Sequence, residues 1–376
     1  MKKWYYMLSF TVMMLLVLAG CGGGDDSSSS AKGGKDKKAD YKEVESFELE
    51  GPVSSMNYSL DEKGEILFWG ENDGGLGDDK RRNIWVDGEV KSLDIDKFKQ
   101  FSVLMPSGHV IVTQTDFDKP VEEKYSILEY DPTTEEEVEY VQDSEHDDML
   151  HPGFSSYLEE PRKYIHTLTK VDSDDAETYI WDIENDEFTD VTFIQDIKEE
   201  VGEDELKDYP HFYLNEDASM AYATVMDTGV FAYDVEKKET ETLLETDSLV
   251  SIDKYTSALT ADGKYLTYGS IEETGEIGFD IIFEAVDVET GDTIEIGKGN
   301  QLFTLTDGSI LIVDEEEVKM FDFDTEELET VYTIPLEEEE ELDNVTISKD
   351  GSTIAYGYTV KEDDDKVSYM EILSNK

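Results

Sequence analysis

The sequence predicts an all-β protein, a seven-bladed β-propeller whose N-terminal strand closes the last blade and which follows a lipoprotein signal peptide and a flexible tether. Three observations lead there. A turn of the Asp-Gly type followed by a short β-rich run recurs along the chain. A hydrophobic pair closed by an acidic residue recurs seven times. The last unit is one strand short, while a lone strand-like run precedes the first.

The elements follow in chain order, beginning with a leader. Lys2 and Lys3 form a basic start, and an apolar stretch runs from Trp4 to Leu18. Small residues then precede the only cysteine, in Leu18-Ala19-Gly20-Cys21. This is the layout of a secretory signal, too short and wrongly flanked for a membrane span, so residues 1–20 are expected to be a signal peptide. The Leu-Ala-Gly-Cys ending resembles the bacterial lipobox. That resemblance implies cleavage before Cys21 and diacylglycerol on its sulfur. Two acyl chains hold a protein on a bilayer far better than one. The expected address is therefore the cell membrane, lipid-anchored and facing outside the cytoplasm. With Cys21 used, the folded part has no cysteine left for a disulfide and is held by its core alone.

Residues 21–40 hold that cysteine and a tether. The stretch GGGDDSSSSAKGGKDKKAD offers nothing to bury, so it reads as a disordered coil with a reach of roughly 25 Å. Residues 41–376 are long enough for one large domain or two smaller ones, and are expected to form a single β-propeller domain. The chain carries a formal charge of −62, from 31 basic and 93 acidic residues. Such a surface repels nucleic acid and anionic headgroups, and excludes both as partners. Only three arginines occur (Arg81, Arg82, Arg162), which weakens any case for phosphate recognition. The charge suits solubility outside the cell, cation binding or a basic partner.

The repeat has two marks. The turn appears as Lys63-Gly64, Ser107-Gly108, Asp262-Gly263, Asp307-Gly308 and Asp350-Gly351, with degenerate copies at Pro161-Arg162 and Asp217-Ala218. Glycine there supplies positive φ, and the β-branched and aromatic run behind it supplies a strand. The acids of the second mark are Asp87, Asp131, Asp182, Asp234, Asp287, Asp322 and Glu371, spaced by 44, 51, 52, 53, 35 and 49 residues. Each of the first six is followed by a turn and another β-like stretch. Seven units of about four strands are what a propeller requires. Asp131, Asp182, Asp234, Asp287 and Asp322 read as structural, accepting backbone hydrogen bonds in blade turns. The run Lys42–Glu50 (KEVESFELE) is expected to complete the last blade and cover its open edge.

The pattern Asp-Gly-Lys-x-hydrophobic-x-Tyr-x-Ser, then hydrophobic-x-Asp-Val-x-Thr-Gly, resembles the TolB-like and WD-repeat-like β-propeller family. Residues 259–292 carry it best and 345–374 next; about residues 42–376 are covered. The family's usual Pro before Asp-Gly is absent, and no α/β domain precedes the repeats. The resemblance implies a fold and no particular chemistry.

Reactive signatures are sparse. There is no Gly-x-Ser-x-Gly, His-Glu-x-x-His, phosphate loop or full EF-hand. A lone Ser251-Ile-Asp-Lys254 match lacks its companion motifs. Five histidines (His109, His146, His151, His166, His211) are scattered. The best metal candidate is the run 143–151, in which Glu145, His146, Asp147 and His151 could hold a divalent ion, although the spacing matches no specific site. Calcium could also bridge Asp172, Asp174 and Asp175, or the run 362–365, and Glu337–Glu341 is similar. These runs read first as solvated loops. No cofactor is expected, with Ca2+ left open. One helix is expected at Phe193–Val201, with Phe193, Ile194, Ile197 and Val201 on one face packing on the blades.

The leading functional reading is a protein-binding or scaffolding module for a cell-envelope or secreted protein. The alternative is an extracytoplasmic propeller enzyme of the lactonase, lyase or glycosidase type, with a carboxylate or calcium site at the central channel; glycosidases need only two carboxylates at the right separation. A solute-capturing lipoprotein is disfavoured, because such folds alternate strands with helices.

Overall fold

Seven antiparallel sheets succeed one another along the chain, and each is a blade. A computed structural model describes residues 40–71, 81–94, 102–115, 125–141, 149–152, 156–158, 162–170, 176–185, 187–202, 210–250, 258–273, 279–362 and 365–376. From innermost strand outward, blade 1 is Val53–Leu60, Ile66–Glu71, Arg81–Val86 and Glu89–Leu93. Blade 2 is Ser102–Leu104, Val110–Thr115, Tyr125–Asp131 and Glu136–Val141. Blade 4 is His211–Leu214, Met220–Val225, Gly229–Asp234 and Glu239–Glu245. Blade 6 is Gln301–Thr304, Ile310–Asp314, Glu317–Asp322 and Glu327–Thr333.

Blades 3 and 5 differ by an interrupted innermost strand. In blade 3 it consists of Met149–Pro152 and Ser156–Leu158, both paired with Lys163–Lys170. Ala176–Asp182 and Glu187–Val191 lie outside them. In blade 5 it consists of Leu249–Val250 and Ala258–Leu259, both paired with Tyr265–Glu273, with Phe279–Asp287 and Thr293–Lys298 beyond.

Blade 7 takes its first three strands from the end of the chain: Glu340–Ile347, Thr353–Glu362 and Asp365–Ser374. Its outer strand is Lys42–Leu49, antiparallel to Asp365–Ser374 from Lys42↔Ser374 to Leu49↔Ser368. The expected closure is therefore present. Without it, Asp365–Ser374 would show a row of unpaired backbone groups. Tyr41, just ahead of the closing strand, donates its hydroxyl to the Gly351 carbonyl (2.6 Å) and sets its ring against Tyr332.

Alternation along each strand sends apolar side chains into the gap between neighbouring blades, and the seven gaps hold seven cores. Phe68 and Ile84 meet Leu104 and Val110 between blades 1 and 2. Ile111 and Ile127 meet Tyr164 and Trp181 between blades 2 and 3. Tyr222 and Val230 meet Leu266 and Val286 between blades 4 and 5. Phe283 and Ala285 meet Ile310 and Phe321 between blades 5 and 6. Val313 and Val318 meet Val345 and Ile354 between blades 6 and 7. The ring closes where Ala355, Met370 and Ile372 meet Tyr58, Leu67 and Trp69 between blades 7 and 1. Each fully buried Ile, Leu or Phe contributes roughly 1.5–3 kcal/mol, so the stabilisation is spread around the ring.

The seam between blades 3 and 4 holds the one helix among the described residues, α1 (Phe193–Val201). Phe193, Ile194 and Ile197 are fully buried, and Val201 packs at the margin of the same core. The Phe193 ring stacks on Tyr233 with centroids 5.2 Å apart. The polar side is tied down as well: Thr240 donates to Asp196 and Thr242 to Glu200, each at 2.6 Å. The helix is a packed filler of the seam, as its apolar spacing predicts. Among the described residues no helix is long and apolar enough to cross a membrane.

Candidate functional site

Strand direction divides the ring into two faces. The inner turn of each blade, between innermost and second strand, and the outer turn, between third and outer strand, fall on one face. The connections between second and third strands, and between blades, fall on the opposite face.

The first face is built from one repeated device. In the outer turns, Asp287 Oδ1 accepts the backbone N–H groups of Glu289 (2.9 Å) and Thr290 (3.1 Å). Asp131 holds Thr133 and Thr134 in the same way, and Asp322 holds Asp324 and Thr325. Asp182 holds Asn185 and Asp234 holds Lys237. All five repeat acids are thus turn acceptors, as expected from sequence. The remaining two differ. Asp87 itself turns the chain, at φ 55 ahead of Gly88, and Glu371 lies within a strand and accepts the Tyr356 hydroxyl.

In the inner turns, Asp61, Asn215, Thr260 and Ser348 use a side-chain oxygen to hold the N–H that restarts the second strand. Gly64 (φ 68) is needed twice over, because an added Cβ would lie 2.2 Å from Thr353 of the neighbouring blade. In blade 4, Ala218 adopts φ 57 where five of the other copies have glycine. Successive inner turns also bond to one another: Thr306 N–H to the Lys349 carbonyl (2.9 Å), Asp350 N–H to Glu62 (3.0 Å), and Glu62 N–H to Pro106 (2.9 Å). This face is a fixed collar.

The opposite face is where the chain varies. Between second and third strands the connection is two residues in blade 6 and nine in blades 1 and 2. The interrupted inner strands of blades 3 and 5 add to this variation. Two polar clusters among the described residues lie here. In blade 1, buried Glu71 accepts Trp69 Nε1 (3.0 Å), Asn83 Nδ2 (2.6 Å) and the Glu50 N–H (3.1 Å). Burial pushes its carboxyl up, with bonds from Trp69 and the backbone pulling the other way. Arg81 pairs with Glu50, so the link from closing strand to blade 1 is pinned by charge as well. In blade 7, Asp343 accepts the Thr359 hydroxyl (2.7 Å), which also meets Ser368 (3.0 Å). Enclosure of the carboxyl end pushes Asp343 up, although the residue as a whole is exposed. Beside it, buried Asn344 accepts Gln301 Nε2 (2.5 Å) from the neighbouring inner strand.

A third cluster sits on the collar side, between blades 2 and 3. Glu129, with 9% of its side chain exposed, faces His109 Nδ1 at 2.6 Å and Arg162 Nη2 at 3.4 Å. Tyr140 donates to Glu129 and receives Arg162 Nη1 (2.5 Å). Sequence reading missed this group, having seen only a scattered histidine and a degenerate turn. The available signal was register: Ile111 pairs with Glu129, so His109 shares their side of the sheet.

Of the sequence-predicted metal candidates, Glu145, His146 and Asp147 lie outside the described residues, and His151 is described only as part of the strand Met149–Pro152. Residues 172–175, 251–257 and 363–364 also lie outside them, as does Cys21. Among the described residues no group of three or more His, Cys, Asp or Glu is placed to hold a metal ion. The chain matches no protein-family model and no curated protein.

Proposed function

We propose that this is a membrane-anchored, extracytoplasmic lipoprotein whose β-propeller presents its variable face to a cell-envelope or secreted protein. The propeller fold itself supports a binding or scaffolding module in general terms. The observation that carries the finer reading is the asymmetry of the two faces. One is a bonded collar of repeated turns, while the other gathers every long connection of a rigid scaffold, where binding residues usually reside. The chain also enters the ring at Tyr41, on the collar side. A charge of −62 favours a basic partner and fast, salt-sensitive association.

The test is cross-linking and recovery from intact cells, comparing the native chain with Cys21→Ala. A specific envelope protein, recovered from the anchored form alone, is the expected result. Equal recovery from the unanchored form sinks the anchored-scaffold reading.

One observation favours a second reading, an extracytoplasmic hydrolase or lyase. Two carboxyls that burial pushes up, Glu71 and Asp343, lie on the variable face. Turnover of a lactone or glycoside that Asp343→Asn abolishes would put this reading first.

A further inference from the structure

Among the described residues each blade ends in an outer strand with one open edge, and these edges are not alike. In blades 4, 5, 6 and 7 a register shift interrupts the pairing of the outer strand, and a bulge of that kind twists an edge away from further pairing. In blades 1, 2 and 3 the outer pairing is regular over its described length. Of these three outer strands Glu136–Val141 in blade 2 is the longest, at six residues against five. Glu136, Glu137, Val138 and Glu139 are all exposed, and Val138 leaves 48% of its surface in solvent. Two other exposed valines lie on outer strands, in less open settings. Val90 in blade 1 precedes Lys91, which reaches across to Glu135, and Val44 in blade 7 falls at the bulge. The blade 2 strand is also firmly held, since Tyr140 donates to Glu129 and receives Arg162 from blade 3.

We propose that the outer edge of blade 2 docks an extended segment of a basic protein, which adds a further strand beside Glu136–Val141. An edge strand leaves part of its N–H and C=O groups facing outward, and these supply the main-chain hydrogen bonds. Side-chain alternation supplies the selection. Val138 shares a face with Tyr140 and with Glu129, its register partner, while Glu137 and Glu139 belong to the other face. The matching segment therefore alternates apolar residues with Lys or Arg, the apolar ones beside Val138 and the cations beside Glu139. A slip of one residue sets cations on Val138 and apolar groups on the carboxylates, so the register is specified. A second copy of this chain is a poor occupant, because glutamates of the two edges would meet. The surface lies on the rim, apart from the variable face, and does not depend on that face having a partner.

The experiment titrates the full chain with the peptide acetyl-Lys-Val-Lys-Val-Lys-Val-amide and with its block isomer acetyl-Lys-Lys-Lys-Val-Val-Val-amide, which has the same composition and charge. Calorimetry reads the affinity and amide hydrogen exchange reads the place. The alternating peptide should bind several-fold tighter than the block isomer and slow exchange in Glu136–Val141 alone among the outer strands. Glu139→Lys should weaken it roughly ten-fold, because a favourable cross-strand pair becomes a repulsive one. Glu241→Lys makes the same charge change on the bulged outer strand of blade 4 and should leave the affinity unchanged, which separates local recognition from overall attraction. Equal affinity for the two peptides, protection at another strand, or equal effects of the two substitutions overturns the proposal. Protection of Glu136–Val141 that appears without peptide as the chain is concentrated makes a second copy the occupant, and overturns it as well.

Discussion

Asp287 holds two backbone N–H groups with one oxygen, so its contribution is legible in a single substitution. Asp287→Ala leaves both donors on a half-exposed turn, where water replaces the carboxylate, and is expected to cost about 1 kcal/mol in urea unfolding. The same turn contains a compromise. Its left-handed position is Gly291 in blade 5 (φ 74), but Glu135, Lys238 and Glu326 in blades 2, 4 and 6, at φ 54 to 61. A side chain in that region costs roughly 1–2 kcal/mol, partly offset by the entropy a glycine adds to the unfolded chain. Glu326→Gly is therefore expected to raise the unfolding midpoint; a lowered midpoint would mean the turn is already relaxed. Glu71 gives a signed pH effect. Burial raises its folded-state pKa, so the folded protein keeps a proton that the unfolded chain has released. Its contribution is fully present below the ordinary carboxyl value of about 4.3 and is lost as pH rises through the raised one. The stability of wild type relative to Glu71→Gln should therefore fall as pH rises from about 4 towards neutrality. The slope carries the test, since rearranged hydrogen bonds shift the intercept alone.

The closing strand is the element on which the ring depends. It covers the edge of Asp365–Ser374, sets Phe47 against Trp69 (5.6 Å between centroids) and places Leu49 in the seam with blade 1. Removing residues 41–49 should leave a chain that unfolds at lower denaturant and associates through the bared edge, read as a concentration-dependent rise in mass by light scattering. A monomer of unchanged midpoint would show that the seams alone hold the ring. This strand, the turns and α1 were legible in sequence because each depends on local residue chemistry. Glycine or a short polar residue is needed at positive φ, an Asp oxygen faces nearby N–H groups, and apolar residues recur at helical spacing. The interruption of the inner strands in blades 3 and 5 was not legible. Pairs as short as Leu249–Val250 and Ala258–Leu259 carry no period and are defined by their partner strand, Tyr265–Glu273. The candidate clusters were hidden for a related reason. His109, Glu129 and Arg162 meet only once two blades are stacked, and Gln301 reaches Asn344 across 43 residues of sequence.

At the scale of the whole molecule, charge is the dominant unbalanced term. Against 93 acids there are 31 Lys and Arg residues, and several of the ion pairs that form are solvent-exposed, such as Lys366–Glu341 and Lys42–Asp40. Exposed pairs contribute roughly 0–1 kcal/mol each. The like charges left over repel one another through solvent, and compact folding brings them closer than the unfolded chain does. Added salt should therefore stabilise this protein. Raising ionic strength from about 0.01 M to 1 M shortens the screening length from roughly 30 Å to 3 Å, below the distance between neighbouring blades. The expected outcome is a thermal midpoint that climbs steeply at low sodium chloride and then flattens once neighbouring acids no longer sense each other. Sodium chloride separates screening from the general salting-out effect, which sulfate would add. Comparison with potassium chloride removes specific ion binding, since screening is the same for both. A midpoint that stays flat or falls would mean that the acids are spaced, or paired through connections on the variable face, so that their repulsion is already relieved. The binding surface would then be less acidic than the composition implies, and the case for a basic partner would weaken with it.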